Sequence, residues 1–352
     1  MDVFVLYRPE VPAPRAQSVQ VLQAAHALAA RGHRVALWAE GAPTAEAALE
    51  AYGLAPTPGL DLRVARHGRT AASLAYRAAF AAWIARTRGR GLALARRKRH
   101  ADWALRTFGG RFRLVLEVHE VDSAQAATRG EDPAPHLALE RRMLAGAAGV
   151  VANCEGTLAL LREVHGALPP AIVAHNAGRD GPGPRADAAG VGIVGSVRPY
   201  KDPDTVVAAV AAGGLPPVTW VGAQGALAAV PGLVAAPAVA HRDVPAVLAR
   251  FRVLVVPLSP GLFGERLTSP LKLWDALASG VPTVAADTEA VRAAAGDAVA
   301  RYRPGDPVSL AAAVRRVHDD EAERAALVAR AAGRARRWGQ RAAEIERFLA
   351  RL

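Results

Sequence analysis

Short apolar runs rich in β-branched residues recur along the chain, separated by stretches whose apolar positions repeat at helical spacing. The plainest case is RVLVVPLSPGLFGERLTSPLKLWDALASGVPTVAAD, residues 252–287. Val253 to Val256 and Val281 to Ala286 read as buried strands, and Leu271, Trp274 and Ala278 share one face of a helix between them. Ser269 is placed to cap that helix, Pro270 to fill its first position, and Gly280 with Pro282 to end it. The same pattern predicts strands at Asp2 to Tyr7, Arg34 to Trp38, Leu62 to Ala65, Leu114 to Val118, Val150 to Ala152 and Ile172 to Ala174. A helix runs from Val19 to Ala30, and helical pattern extends from Ala71 to Thr107. Further strands follow at Val191 to Val194, Val218 to Val221 and Ala298 to Tyr302, with helices from Pro307 onward.

Between the two groups lies GRDGPGPRADAAG, residues 178–190, rich in Gly, Pro and charge and without periodicity. It marks a domain boundary. Alternating strand and helix on both sides predicts two α/β domains, residues 1–180 and 181–337. The last helix, 338–352, is long enough to return to the first domain. A length of 352 residues fits two domains of ordinary size, and 51% hydrophobic residues suffice for two cores. The single cysteine, Cys154, excludes an intramolecular disulfide. MDVFVLYRPEVP reads as a first strand rather than a secretory signal, and no apolar run reaches the roughly 18 residues of a spanning helix. A soluble or peripheral cytoplasmic protein is expected.

The net charge of +12 is carried almost wholly by arginine. Within 86–107, read as a basic helical segment, Arg86, Arg88, Arg90, Arg96, Arg97, Lys98, Arg99 and Arg106 alternate with Leu92, Leu94, Trp103 and Leu105. Such a segment suits the anionic inner face of a membrane, a phosphate backbone, or simply water. Lysine occurs only at Lys98, Lys201 and Lys272, so a lysine in this composition suggests that a compact point charge is wanted.

Lys272 falls in the first turn of its helix, where the macrodipole opposes a cation unless an anion is present. Free N–H groups, the hydroxyls of Thr268 and Ser269, and Lys272 make a phosphate site. Asp275 can take ribose hydroxyls or pair with Lys272. VGIVGSVRPYKDPDT, residues 191–205, adds Gly195, Ser196, Arg198 and Lys201 on a turn before a helix that Asp202 and Pro203 start. Asp202-Pro203-Asp204 reads as a cap with a first-turn acid rather than a metal motif. At the carboxyl ends of the first domain's strands, where such sheets bind ligands, lie Arg15, Gln17 and Ser18, then His119, then Asn153. His119 and Asn153 also admit plain structural roles, the latter as a helix cap.

Together these pieces resemble the retaining glycosyltransferases of the GT-B fold, the group-1 family usually called family 4. The resemblance is strongest at Gly195 to Lys201 and Thr268 to Asp287, with weaker matches at RGHRV (31–35), EVHEVD (117–122), VVANCE (150–155) and VAHNAG (173–178). It implies two Rossmann-like domains facing each other across a cleft, and a hexosyltransferase (EC 2.4) moving sugar from a nucleoside diphosphate sugar to a hydroxyl acceptor without metal or other cofactor. Arg198 and Lys201 match the family's diphosphate-binding pair. Ser269 and Lys272 complete the phosphate and sugar pocket, Asp275 replaces a ribose-binding glutamate, His241 to Val244, with Asp243, frames the nucleobase, and His119 lies near the reacting sugar. Arg15, Gln17 and Asn153 are left to the acceptor, a glycan, a lipid-linked compound or a small molecule. The family's first acid falls on Leu267, with Glu265 out of register, in a loop longer than usual. Two other readings stand: a GT-B epimerase or phosphorylase, and a basic α/β binding protein for anionic membrane or nucleic acid with a degenerate site. Nucleic acid is not an expected partner of the enzyme.

Overall fold

The computed structural model describes residues 1–13, 15–65 and 69–352; Pro14 and residues 66–68 lie outside the described residues. The described residues divide into two compact units, Met1–Ala174 with Gly339–Leu352, and His175–Trp338. The division falls just ahead of the Gly- and Pro-rich run rather than within it.

In the first unit the apolar runs become β1 (Asp2–Val5), β2 (Glu10–Val11), β3 (Arg34–Gly41), β4 (Leu60–Ala65), β5 (Leu92–Ala95), β6 (Arg113–Val118), β7 (Gly149–Ala152) and β8 (Ala171–Val173). They form one parallel sheet in the order β2-β3-β1-β5-β6-β7-β8, with β4 also pairing β3. All four residues of β5 and of β7 are buried, as a parallel sheet covered by helices on both faces requires.

β5 corrects the expectation of helix from Ala71 to Thr107, and with it the basic helical segment 86–107. The helix Arg69–Thr87 ends where Arg88 and Gly89 take positive φ, and a second helix starts only at Lys98. Leu92–Ala95 is a four-residue apolar run, and periodicity cannot assign so short a run to strand or helix. A Cβ on Gly91 would lie 2.5 Å from the Trp83 ring, so the approach to β5 needs a glycine.

The C-terminal helix Trp338–Leu349 packs in the first unit from Gly339 onward. Phe348 seats on Gly149, where a Cβ would come within 2.8 Å of the ring. Arg31 pairs with Glu346, and the guanidinium of Arg341, 1% exposed, donates to Glu117 at the end of β6.

The second unit contains β9 (Val191–Val194), β10 (Val218–Val221), β11 (Leu233–Ala236), β12 (Val253–Val256), β13 (Thr283–Ala286) and β14 (Ala300–Tyr302). Their order is β11-β10-β9-β12-β13-β14, every pair parallel. This is the doubly wound order, with its reversal between β9 and β12, the point at which open α/β sheets hold ligands. Trp220, Ile193, Val284 and Val314 lie in its core. Among the described residues no helix is long and apolar enough to cross a membrane.

Candidate functional site

β9 delivers the chain to Gly195, whose φ of +122° is left to glycine. Trp220 Nε1–H donates to Gly195 O at 2.7 Å, and Gly195 N–H donates to Val221 O at 2.8 Å, so the turn is held against β10. A Cβ here would lie 2.8 Å from Lys201 Nζ and 3.5 Å from Lys272 Cε. The glycine thus leaves its space to two lysines that are far apart in sequence. Lys201 ends the turn Pro199–Lys201, and its ammonium donates to Ser196 O at 2.7 Å. Lys272 stands in the first turn of the helix Leu271–Ser279, which contains no first-turn acid.

Both cations are held uncomfortably. Burial, then Lys272, then Arg198 push Lys201 down to about 8. Burial lowers Lys272 as well, against the opposing pull of Asp275 at 3.7 Å. Arg198 is exposed just ahead of the turn, and its carbonyl accepts from Lys201 N–H at 2.9 Å. Three positive groups therefore meet at the sheet's switch point, an arrangement that an oxyanion would relieve.

The rest of the site is tied to the same helix by the loop after β8. Asn176 N–H donates to Ser269 Oγ at 3.0 Å, and Asn176 Nδ2 to Ser269 O at 2.7 Å. Trp274 Nε1–H reaches the same hydroxyl at 2.9 Å. Ser269 is therefore not the N-cap expected of it: its oxygen is occupied by these donors, and the helix begins after Pro270 without a side-chain cap. Thr268 is buried beside it. Gly178 lies so close that a Cβ would meet Trp274 O at 2.1 Å, so the loop and helix touch backbone to backbone.

Arg179 was not among the expected site residues, because it lies in the run that reads as a linker. Its backbone N–H and Nε donate to Asp275 Oδ1 at 3.3 and 3.4 Å, and its Nη2 to Oδ2 at 3.3 Å. Its Nη1 donates to His241 O. Arg179 thereby joins buried Asp275 to the turn His241–Asp243 and the helix that starts at Val244. Asp243 is exposed and its carboxylate lies 3.8 Å from Arg242.

Asp202 stands at the N-cap position of the helix Pro203–Ala211, with Asp204 in its first turn as expected, but its side chain makes no cap bond. It takes φ +50°, and its Oδ2 accepts from Gly305 N–H at 2.9 Å. Leu267, where the resemblance places an acid, is fully buried, and Glu265 turns away to accept from Glu289 N–H at 3.0 Å. Neither supplies a carboxylate at Lys272. The long loop instead carries Phe263, whose ring sits 5.0 Å from that of Tyr200.

In the first unit, Arg15, Gln17 and His119 line one cavity of about 320 Å³, together with Tyr7, Arg96 and Lys98. The cavity is lined from the carboxyl ends of β1, β5 and β6, and the sheet's strand order reverses between β1 and β5. His119 Nε2 is 3.1 Å from Glu117 Oε1. Burial, then Arg96, push His119 down to about 4, against the pull of Glu117, so the ring is neutral near pH 7. With Nε2–H donated to the carboxylate, Nδ1 is left as an acceptor. Burial pushes Glu117 up, but Arg341, His119 and Arg96 outweigh it and hold the carboxylate well below its usual range. Gln20 also donates to Glu117, and Arg96 to Gln20 at 2.9 Å.

Lys98 is consumed by Glu140 at 2.8 Å and Asp122 at 3.0 Å. Lys98 is thus an interior partner of carboxylates and Arg96 is bonded to Gln20 within reach of the Glu117 charge, so neither belongs to a solvated or membrane-facing stripe. Asn153 is buried outside this group, and the helix it was placed to cap, Glu155–His165, has Cys154 at the N-cap instead.

Residues 189–320 match the family model described as Glycosyl transferases group 1. A search of curated protein sequences finds no significant match. Among solved structures, sucrose-phosphate synthase from Thermosynechococcus elongatus is similar at 18% identity and a TM-score of 0.75, over 100% of this chain and 98% of that one. HepE from Anabaena, solved with UDP and glucose, is similar at 17% identity and a TM-score of 0.72, over 100% of both chains. WaaG, a glycosyltransferase involved in lipopolysaccharide biosynthesis, is similar at 15% identity and a TM-score of 0.60, over 95% of both. At these identities the likeness is one of fold, and the fold is that of the GT-B glycosyltransferases.

Proposed function

We propose that this chain, which carries a glycosyl transferases group 1 domain over residues 189–320 in a GT-B fold, transfers a sugar from a nucleoside diphosphate sugar to a hydroxyl acceptor. The observation that carries the reading is the convergence of Lys201 and Lys272 on Gly195 at the switch point of the second sheet. The cations supply the charge that a diphosphate needs, so the reaction requires no metal. As the bond between the anomeric carbon and the diphosphate oxygen breaks, Lys201, Lys272 and Arg198 stabilise the charge growing on the leaving group. The acceptor oxygen forms the new bond to that carbon, and its proton passes to the leaving diphosphate. Retention at the anomeric carbon is part of the proposal.

Asp275 Oδ2 takes one Arg179 donor and lies 3.7 Å from Lys272, and its remaining lone pair is offered to a ribose hydroxyl, while the His241–Val244 segment faces the base. UDP is the first candidate nucleotide, since HepE is similar in fold and has been solved with UDP-glucose. Neutral His119 accepts from a hydroxyl of the acceptor. The test is product analysis with UDP-, GDP-, ADP- and dTDP-sugars and candidate acceptors. Transfer is expected with one donor, and Lys201→Ala should lower turnover by about two orders of magnitude, the scale of losing one such stabilising donor. Interconversion of the sugar without transfer, or a requirement for free phosphate, would replace the reading with an epimerase or a phosphorylase.

A further inference from the structure

The run Arg96-Arg97-Lys98-Arg99 divides between two cavities of the first unit. Arg96 and Lys98 line the His119 cavity, where Lys98 pairs with Glu140 and Arg96 lies in the field of Glu117. Arg99 instead lines a second cavity of about 290 Å³, with Arg8, Tyr76, Arg77 and Trp103, and Arg97 borders both. The same alternation occurs after β1, where Tyr7 belongs to the first cavity and Arg8 to the second.

Four arginines and no carboxylate line this second cavity. Among the described residues Arg77, Arg97 and Arg99 form no ion pair; Arg8 reaches Glu40 at 3.0 Å. The guanidinium of Arg77 lies 5.1 Å from the Trp103 ring centre and that of Arg8 5.5 Å from the Tyr76 ring centre. Tyr76 is 3% exposed, yet its hydroxyl has no hydrogen-bond partner, and neither does the buried Nη1 of Arg8. Groups of this kind rarely stay unsatisfied in the interior, because each forfeits its hydration. Burial pushes the Tyr76 phenol upward, so it remains a donor. The helix Lys98–Phe108 also begins here, with no side-chain cap from Arg97, so its first N–H groups add to the donors. His100 also lines the cavity, where burial and the neighbouring arginines push it down to about 4 and keep the ring neutral; the arginines, Tyr76 and the helix N–H groups supply hydrogen for an oxyanion.

We propose that this cavity binds a phosphate group, and that the acceptor is a hydroxyl compound bearing that phosphate, with its hydroxyl in the adjoining His119 cavity. The acceptor role rests on the sugar-transfer reading, whereas the phosphate site stands on the first unit's own geometry. It also gives a use to the part of the arginine run that carboxylates do not neutralise.

The test is calorimetric titration of the full chain with glucose 6-phosphate and with inorganic phosphate, and cosedimentation with phosphatidylcholine vesicles containing phosphatidic acid. Wild type is compared with Arg77→Gln/Arg99→Gln, both exposed positions, and with Tyr76→Phe, which keeps the ring. Binding of the soluble phosphates, weakened about tenfold or more in the arginine variant and several-fold in Tyr76→Phe, supports the site and a soluble ester. Vesicle binding alone, lost in the same variants, supports the site and a lipid phosphate. No binding of any probe, or binding unchanged by the substitutions, overturns the proposal. Nucleotide binding, a property of the second unit, is measured on the same samples; its presence beside a failed phosphate test leaves the donor reading standing, and its absence beside a successful one does the reverse.

Discussion

Raising the pH through the titration of Lys201 should weaken diphosphate binding. Burial and the neighbouring cations bring this lysine from its ordinary 10.5 to about 8, which corresponds to about 3 kcal/mol against the ammonium form in the free protein. An unfolded chain keeps the lysine protonated to about pH 10.4. Between pH 8 and that value the unfolded state therefore binds more protons, and stability rises with pH as the penalty present below pH 8 is relieved. Nucleotide affinity moves the other way. If binding needs the ammonium, affinity falls about tenfold between pH 7 and pH 9, a range in which the ligand's own phosphate, with a second pKa near ~6, no longer titrates. Isothermal titration at pH 7, 8 and 9 reads this directly, and repeating it in buffers of different ionisation enthalpy shows proton uptake on binding above pH 8. Lys201→Arg keeps its charge throughout and should show a flat profile. A flat profile in wild type, or the same fall in Lys201→Arg, would refute the role given to Lys201.

Gly195→Ala places a methyl 2.8 Å from Lys201 Nζ at a φ of +122°; nucleotide affinity should fall at least tenfold while melting temperature, read by circular dichroism, drops by only a few degrees. Gly178→Ala forces a methyl against the Trp274 carbonyl, and urea denaturation should show a loss of about 2 kcal/mol or more. Glu117→Gln removes the carboxylate that holds His119, Arg96 and Arg341. Uncompensated buried guanidinium charge should cost about 3 kcal/mol of stability, and transfer should weaken while nucleotide affinity, set in the other unit, stays as it was.

Much of this could be read from the chain because buried parallel strands are short and uniformly apolar. β9, β10 and β12 coincide with their expected residues, and Lys201 and Lys272 stand out as two of only three lysines in the chain. What escaped was contact between distant residues. β5 hides between arginines because a four-residue run has no period of its own. Arg179 sits among residues with the composition of a linker, and only its placement against Asp275 reveals it. Arg341 and Glu117 lie in different thirds of the chain. Ser269 and Asp202 had the composition of caps, but tertiary donors, Asn176 and Trp274 in one case and Gly305 in the other, took their oxygens instead.

The central claim is that two lysines around Gly195 hold a nucleoside diphosphate. Titration of the wild-type chain and of Lys201→Ala with UDP, GDP, ADP and dTDP at pH 7 tests it most directly. Binding of at least one nucleotide, weakened tenfold or more in the variant, is the predicted result; no binding by any of the four, or equal binding by both proteins, would contradict it.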